Sequence, residues 1–229
     1  MPLVDLAVTT VRDLNSALHK LPPSTNETHW EIVNPGGRHA LAVGLDAPVT
    51  VEIAGHAGYY CAGMNKLATV VVAGNVGVGV AENMMSGEVR VEGDASQSAG
   101  ATGRGGLLVI GGNASARCGI SMKGIDIVVK GSIGPLSAFM AQEGNLVVLG
   151  GAGEALGDSI YEARLFVRGE VKSLGADCVE KDLDEDARTI LAGLLAKAGL
   201  SAEASPDEFR HYGSARRLYH FHVDNADAY

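Results

Sequence analysis

Three cysteines, a His-X-His pair and a scatter of carboxylates are the residues through which this 229-residue chain could do chemistry. Cys61, Cys118 and Cys178 contain no C-x-x-C pair, so the chain alone lacks the ligand spacing of a zinc knuckle or an iron–sulfur cluster. Their odd number suits a reducing compartment. His220 and His222 share one side of an extended segment and would make half a zinc site, without a third ligand at recognisable spacing. Hydrolysis or elimination on a polysaccharide needs two carboxylates within about 5 to 10 Å. Gly74-Asn-Val-Gly77-Val-Gly79 invites a phosphate-loop reading, but neither a Gly-Lys-Ser/Thr nor a helix start follows it.

These residues must be positioned by a repeat. Gly55, Gly74, Gly93, Gly112, Gly131, Gly150 and Gly169 stand 19 residues apart without an insertion. Two residues before each glycine lies an aliphatic row from Ile53 and Val72 to Val167, and four before it another from Val51 and Val70 to Leu165. The residues between them vary, from Glu52 and Arg90 to Phe166, which is the alternation of a strand with one buried face. A third apolar row, Ala57 to Val171, follows two residues after the glycine. Seven after it every residue is small: Ala62, Ala81, Gly100, Gly119, Ala138, Gly157 and Ala176. That size limit places the backbone in the interior of a narrow coil. The residue just after the glycine (His56, Asn75, Asp94, Asn113, Ser132, Gly151, Glu170) is mostly turn-prone, so a corner with left-handed backbone is expected there. Gly36 would extend the series, but Asn34 and Pro35 break the apolar pattern and suggest a degenerate coil or a cap.

One strand per 19 residues, with neither helices nor hairpins between, predicts an all-β core: a right-handed single-stranded parallel β-helix of about seven coils, flanked by short N-terminal and C-terminal helices. Residues 1–28 read as a strand-and-helix cap. Val4, Leu6 and Val8 alternate, and Thr10 with Asp13 opens a helix through Leu14, Leu18 and Leu21 that stops at Pro22-Pro23. The β-helix takes residues 29–182, and residues 183–229 read as a C-terminal helix and docking tail. A helix is expected from Asp182 or Asp184 to Gly199, and Ser205-Pro206-Asp207-Glu208 resembles another helix start. Arg210, Arg216, Arg217, Tyr219 and Phe221 in that tail are the candidate interface residues, the alternative being a tail folded back on its own domain.

Placing the chemistry-bearing residues on this ladder dissolves most of it. Cys61 and Cys118 share a row but lie three coils, or about 14 Å, apart, too far for a disulfide or a shared metal. They read as packing residues. Asp94, Asp126, Asp158 and Glu162 fall in different rows and make no catalytic pair, which weighs against a polysaccharide-acting enzyme. His56 at its corner is accounted for by solvent or a hydrogen bond.

A net charge of −9 and 18 dispersed Lys and Arg give no nucleic-acid surface. No apolar run approaches the ~20 residues of a membrane span and no secretory signal is visible, so the expected location is the cytoplasm.

Residues 54–63 (Ala-Gly-His-Ala-Gly-Tyr-Tyr-Cys-Ala-Gly), 92–106 and 149–158 (Leu-Gly-Gly-Ala-Gly-Glu-Ala-Leu-Gly-Asp) resemble the GXGXG β-helix domain at the C-terminus of the glutamate synthase large subunit. Free-standing relatives include a subunit of archaeal formylmethanofuran dehydrogenase. The resemblance covers roughly residues 30 to 180. The flanks Val11–His19 and Phe209–Tyr219 resemble the free-standing GXGXG subunit of bacterial N-methylglutamate synthase. That resemblance implies a structural subunit in a methylamine-using complex. Its partners would be a class II glutamine-amidotransferase-like subunit and a synthase subunit carrying FMN and iron–sulfur clusters, in a hetero-oligomer. It implies no catalytic, metal or cofactor-binding residue in this chain. Agreeing with this, Pro2 follows Met1 where a class II glutaminase needs an N-terminal cysteine nucleophile. The subunit would hold its partners at a fixed distance and help to enclose a route for ammonia or methylamine.

Overall fold

The computed structural model describes residues 2–217. Eight short parallel strands form its spine: β2 (His29–Val33), β3 (Thr50–Ile53), β4 (Thr69–Val72), β5 (Glu88–Val91), β6 (Leu107–Ile110), β7 (Lys123–Val129), β8 (Glu143–Val148) and β9 (Arg164–Val167), preceded by β1 (Leu3–Asp5). From β3 onward the register is the 19-residue step, with Val51 facing Val70, Val70 facing Val89, and Leu146 facing Leu165. The aliphatic row of Val51, Val70, Val89, Leu108, Ile127, Leu146 and Leu165 is completely buried. The third apolar row makes a second line of parallel contacts, Ala57 to Val76 through Ala152 to Val171. The chain is therefore a parallel β-helix with seven turns between β2 and β9.

Gly36 is outside the glycine row. Trp30 and Ile32 of β2 face Val51 and Ile53, which are 21 residues further on, so the first coil is complete but two residues longer than the rest. The apolar pair Trp30 and Ile32 marks this coil; the added residues shift it out of the 19-residue count.

The corner expectation also needs correcting. None of the residues just after the repeat glycines has positive φ. Left-handed backbone instead recurs five, seven and nine residues after the glycine: Tyr60, Ala62 and Met64 at 61°, 53° and 54°, and Arg117, Gly119 and Ser121 at 60°, 69° and 51°. The alternation turns successive peptide units up and down the rod. Tyr60 N–H donates up to Val78 O, Ala62 N–H down to Leu41 O, and Met64 N–H up to Glu82 O. Each coil thereby satisfies its backbone against both neighbours while it bends. From Ala62 to Gly157 the small row is the middle of these three positions, which explains its composition twice over; Ala176, past the last full coil, is exposed and has no left-handed φ. A side chain at the first six positions is buried, and φ is one that Gly adopts freely and other residues adopt at a cost of about 1 to 2 kcal/mol.

Both ends of the ladder are closed. Helix α1 (Val11–His19), capped by the Thr10 side chain accepting from Asp13 N–H, buries Leu14 and Leu18 over the first coil. Its Asn15 amide behaves like a missing coil, donating to Ala40 O at 2.7 Å and accepting from Ala42 N–H at 3.1 Å. At the other end β11 (Arg210–Ser214) runs antiparallel between β9 and β10 (Cys178–Lys181). A reversed strand stops the parallel stack.

Helix α2 (Glu185–Ala198), with Asp184 as N-cap and a left-handed Gly199 as C-cap, lies on the outer face of the sheet. There it buries Val109, Val128, Val147 and Phe166 beneath Leu191, Leu194 and Leu195. The expectation of one buried face therefore fails for β6–β9, whose outward residues are apolar because a helix covers them. Four cations from the sheet hold the helix and the loop after it. Arg164 pairs with Asp186 at 3.1 Å, Lys130 with Glu203 at 3.0 Å, Arg168 with Glu208 at 3.3 Å, and Arg90 donates to Lys197 O at 2.8 Å. The helix thus runs across the strands from β9 to β5. Its 14 residues span about 21 Å, close to the roughly 19 Å of four strand spacings.

Candidate functional site

The thiols are structural. Cys61 and Cys118 are wholly buried, and burial pushes both up to about 12. Cys178 is pushed up to about 12 as well, by burial first and then by the charges of Asp177 and Asp158. A thiol in this state supplies almost no thiolate near neutral pH and cannot serve as a nucleophile. Among the described residues no group of three His, Cys, Asp or Glu is placed to hold a metal ion. His220 and His222 lie outside the described residues.

The scattered acids are engaged in the fold. Asp94 accepts from Asn113 N–H, and Asp126 accepts from the Asn145 amide at 2.7 Å. Asp158 accepts from Ser159 Oγ at 2.8 Å, and Glu162 accepts from Arg216 at 2.6 Å.

The residues after the repeat glycines build a polar ladder along the rod. His56 Nδ1 accepts from Asn75 N–H at 2.9 Å, Asn75 Oδ1 from Asp94 N–H at 2.9 Å, Asp94 Oδ1 from Asn113 N–H at 2.7 Å, Asn113 Oδ1 from Ser132 N–H at 2.8 Å, and Ser132 Oγ from Gly151 N–H at 3.0 Å. A backbone N–H can only donate, so His56 must present an unprotonated Nδ1. Sequence reasoning saw turn-formers in this row; their common property is a short side chain with an acceptor. The ladder ends at Gly151, where a Cβ would stand 2.8 Å from Glu170 O.

The candidate interface arginines are separated by the fold. Arg210 opens β11 and donates to Gly169 O at 3.3 Å. Arg216 lies beyond the other end of β11, where it pairs with Glu162, and Arg217 N–H donates to Asp177 there at 2.9 Å. A strand of this length puts Arg210 and Arg216 roughly 20 Å apart, so they do not make one patch. Arg216 borders a polar groove of about 370 Å³ that also contains Arg164, Lys181 and His211. Tyr219 and Phe221 lie outside the described residues.

Exposed apolar surface gathers elsewhere. Leu3, Val8, Tyr59, Met64, Leu67, Val78 and Met85 are 37–85% exposed and belong to the N-terminal cap and the first coils, whereas among the described residues Leu174 is the exposed large apolar residue toward the far end. Sequence reasoning missed this grouping. Its signal was apolar residues at outward positions of the repeat, such as Tyr59 and Val78 four after their glycines. Among the described residues no helix is long and apolar enough to cross a membrane.

No protein-family profile matches the chain. No solved structure matches it either. Among curated proteins it is similar to "Protein GlxC" of Rhizobium meliloti (strain 1021), at 63% identity over 229 residues, covering 100% of each chain. With a match that spans the whole length of both chains, from the α1 plug to the β11 closure, the chain belongs to the family of Protein GlxC.

Proposed function

We propose that this chain is the non-catalytic β-helix subunit of a glutamate synthase-type complex, and specifically of an N-methylglutamate synthase acting in the cytoplasm. That enzyme converts methylamine and glutamate to N-methylglutamate and ammonia. The chain would hold a class II glutamine-amidotransferase-like subunit and a synthase subunit bearing FMN and iron–sulfur clusters in fixed relation. The observation that carries the reading is the rod itself: a parallel β-helix with a 19-residue coil, stopped at both ends, whose three cysteines are buried in its packing. Kinship with Protein GlxC and the GXGXG-like repeats support it. The interior is filled by side chains, so any passage for ammonia or methylamine would run along the outside of the rod.

The test is gentle purification of the tagged chain from its native cells. Co-purification of an amidotransferase-like chain and a flavoprotein with iron–sulfur absorption is expected. Recovery of the chain alone overturns the proposal, and recovery with formylmethanofuran dehydrogenase-type subunits assigns the rod to another complex.

A further inference from the structure

We propose that the outer face of β1–β4 is the seat of a partner's helix, one with a short apolar stripe flanked by Lys or Arg; this rests on the subunit role proposed above. The sheet is continuous, but α2 covers only its far half and stops at Arg90 of β5. Toward the N-terminal end the same outward row continues as Val71, Glu52, Glu31 and Leu3, and the row beside it runs through Glu92, Ala73 and Ala54. Leu3 is 59% exposed. The face forms a groove of about 230 Å³ with a floor of Val71, Ala54 and Ala73 and carboxylates from Glu31, Glu52 and Glu92 around it.

The charge pattern selects the occupant. Under α2 the sheet supplies cations and the covering segment supplies Asp186, Glu203 and Glu208. On the open half the sign is reversed. Glu31 and Glu52 face each other in register, and among the described residues neither pairs with a Lys or Arg; the ring of His29 lies 3.4 Å from Glu52. Like charges directly opposed on a sheet are unfavourable for the isolated chain, and a cationic partner would relieve them. The α2 of a second copy offers no match, because its apolar face is already buried against β6–β9 and is flanked by acids. The chain's own residues 218–229 contain Asp224 and Asp227 and neither Lys nor Arg. The four open strands span about 14 Å, room for a helix of about ten residues laid end to end with α2.

The experiment labels carboxylates with a water-soluble carbodiimide and glycine ethyl ester, on the complex purified from native cells and on the isolated chain. Glu31, Glu52 and Glu92 should be labelled in the isolated chain and protected in the complex. Their zero-length crosslinks should reach lysines three or four residues apart in one co-purifying subunit. E52K should weaken retention in the complex by about tenfold or more while the Tm of the isolated chain holds or rises, because it places opposite charges in register. Equal labelling in an intact complex overturns the proposal and leaves the subunit role standing. Crosslinks to a second copy of this chain overturn it in favour of self-association, and absence of any co-purifying subunit overturns both readings.

Discussion

Asp94 Oδ1 accepts the backbone N–H of Asn113 from one coil further along the rod, at 2.7 Å, and Asn113 in turn accepts that of Ser132 at 2.8 Å. Side chains exposed to solvent are here stitching successive coils. Asn75→Ala, Asp94→Ala and Asn113→Ala should each lower stability by about 0.5 to 1.5 kcal/mol, the net value of one hydrogen bond. Asp94→Asn, which keeps the acceptor, should cost less than Asp94→Ala. Urea unfolding of the set checks this, and alanine variants indistinguishable from wild type would remove the ladder from the fold's energetics.

The left-handed columns reverse the usual rule for glycine. Ala81 and Ala138 are buried at φ of 54° and 56°. Ala→Gly there relieves backbone strain while losing a methyl, so both variants should stay within about 1 kcal/mol of wild type. Gly157→Val should behave oppositely. At φ of 65° a Cβ would stand 2.8 Å from Cys178 Sγ and 3.0 Å from a Leu165 methyl. Strain and overpacking together should cost about 2 to 4 kcal/mol, seen as a clear fall in Tm. A Tm equal to wild type would show that the coil register is wrong.

Burial raises the Cys61 and Cys118 thiols from their ordinary 9.0 to about 12. Well below pH 9 each is neutral in the folded and unfolded chain, and the stability it contributes is fully present. As pH rises from there toward 12 the unfolded chain ionises first, so stability falls by up to about 1.4 kcal/mol per pH unit for each thiol. A Cys61→Ala/Cys118→Ala variant should show a flatter decline between about pH 8 and pH 10.5. Parallel curves for the two proteins would refute this linkage.

The inward rows were legible because burial imposes one residue class at a fixed period: the seven aliphatics from Val51 to Leu165 admit no other reading. Phe166 and Val147 were equally visible as apolar residues, but a strand's alternation does not say whether its second face is bare. That depended on α2, about 20 residues away in sequence and folded back over four strands. The left-handed positions were hidden because Tyr60, Arg117 and Leu136 are poor predictors of positive φ; hydrogen bonding to both neighbouring coils imposes it. The separation of the arginines was invisible for a similar reason, since only the extension of Arg210–Ser214 as β11 puts Arg210 at one end of a strand and Arg216 beyond the other.

The antiparallel pairing of β11 also decides what truncation should do. Removing everything from Ser205 deletes β11, together with Phe209 and Tyr212, which are 5% and 2% exposed. It also uncovers the edge of β9. Loss of two buried aromatics costs about 3 kcal/mol or more each, so this truncation should unfold or aggregate the chain rather than merely weaken assembly. Ending the chain after Arg217 is the informative cut. It keeps every described strand and removes Tyr219 and Phe221. If those residues dock a partner, the shortened chain should retain its Tm and lose co-purifying subunits; a shortened chain that assembles normally would end the docking role of the tail.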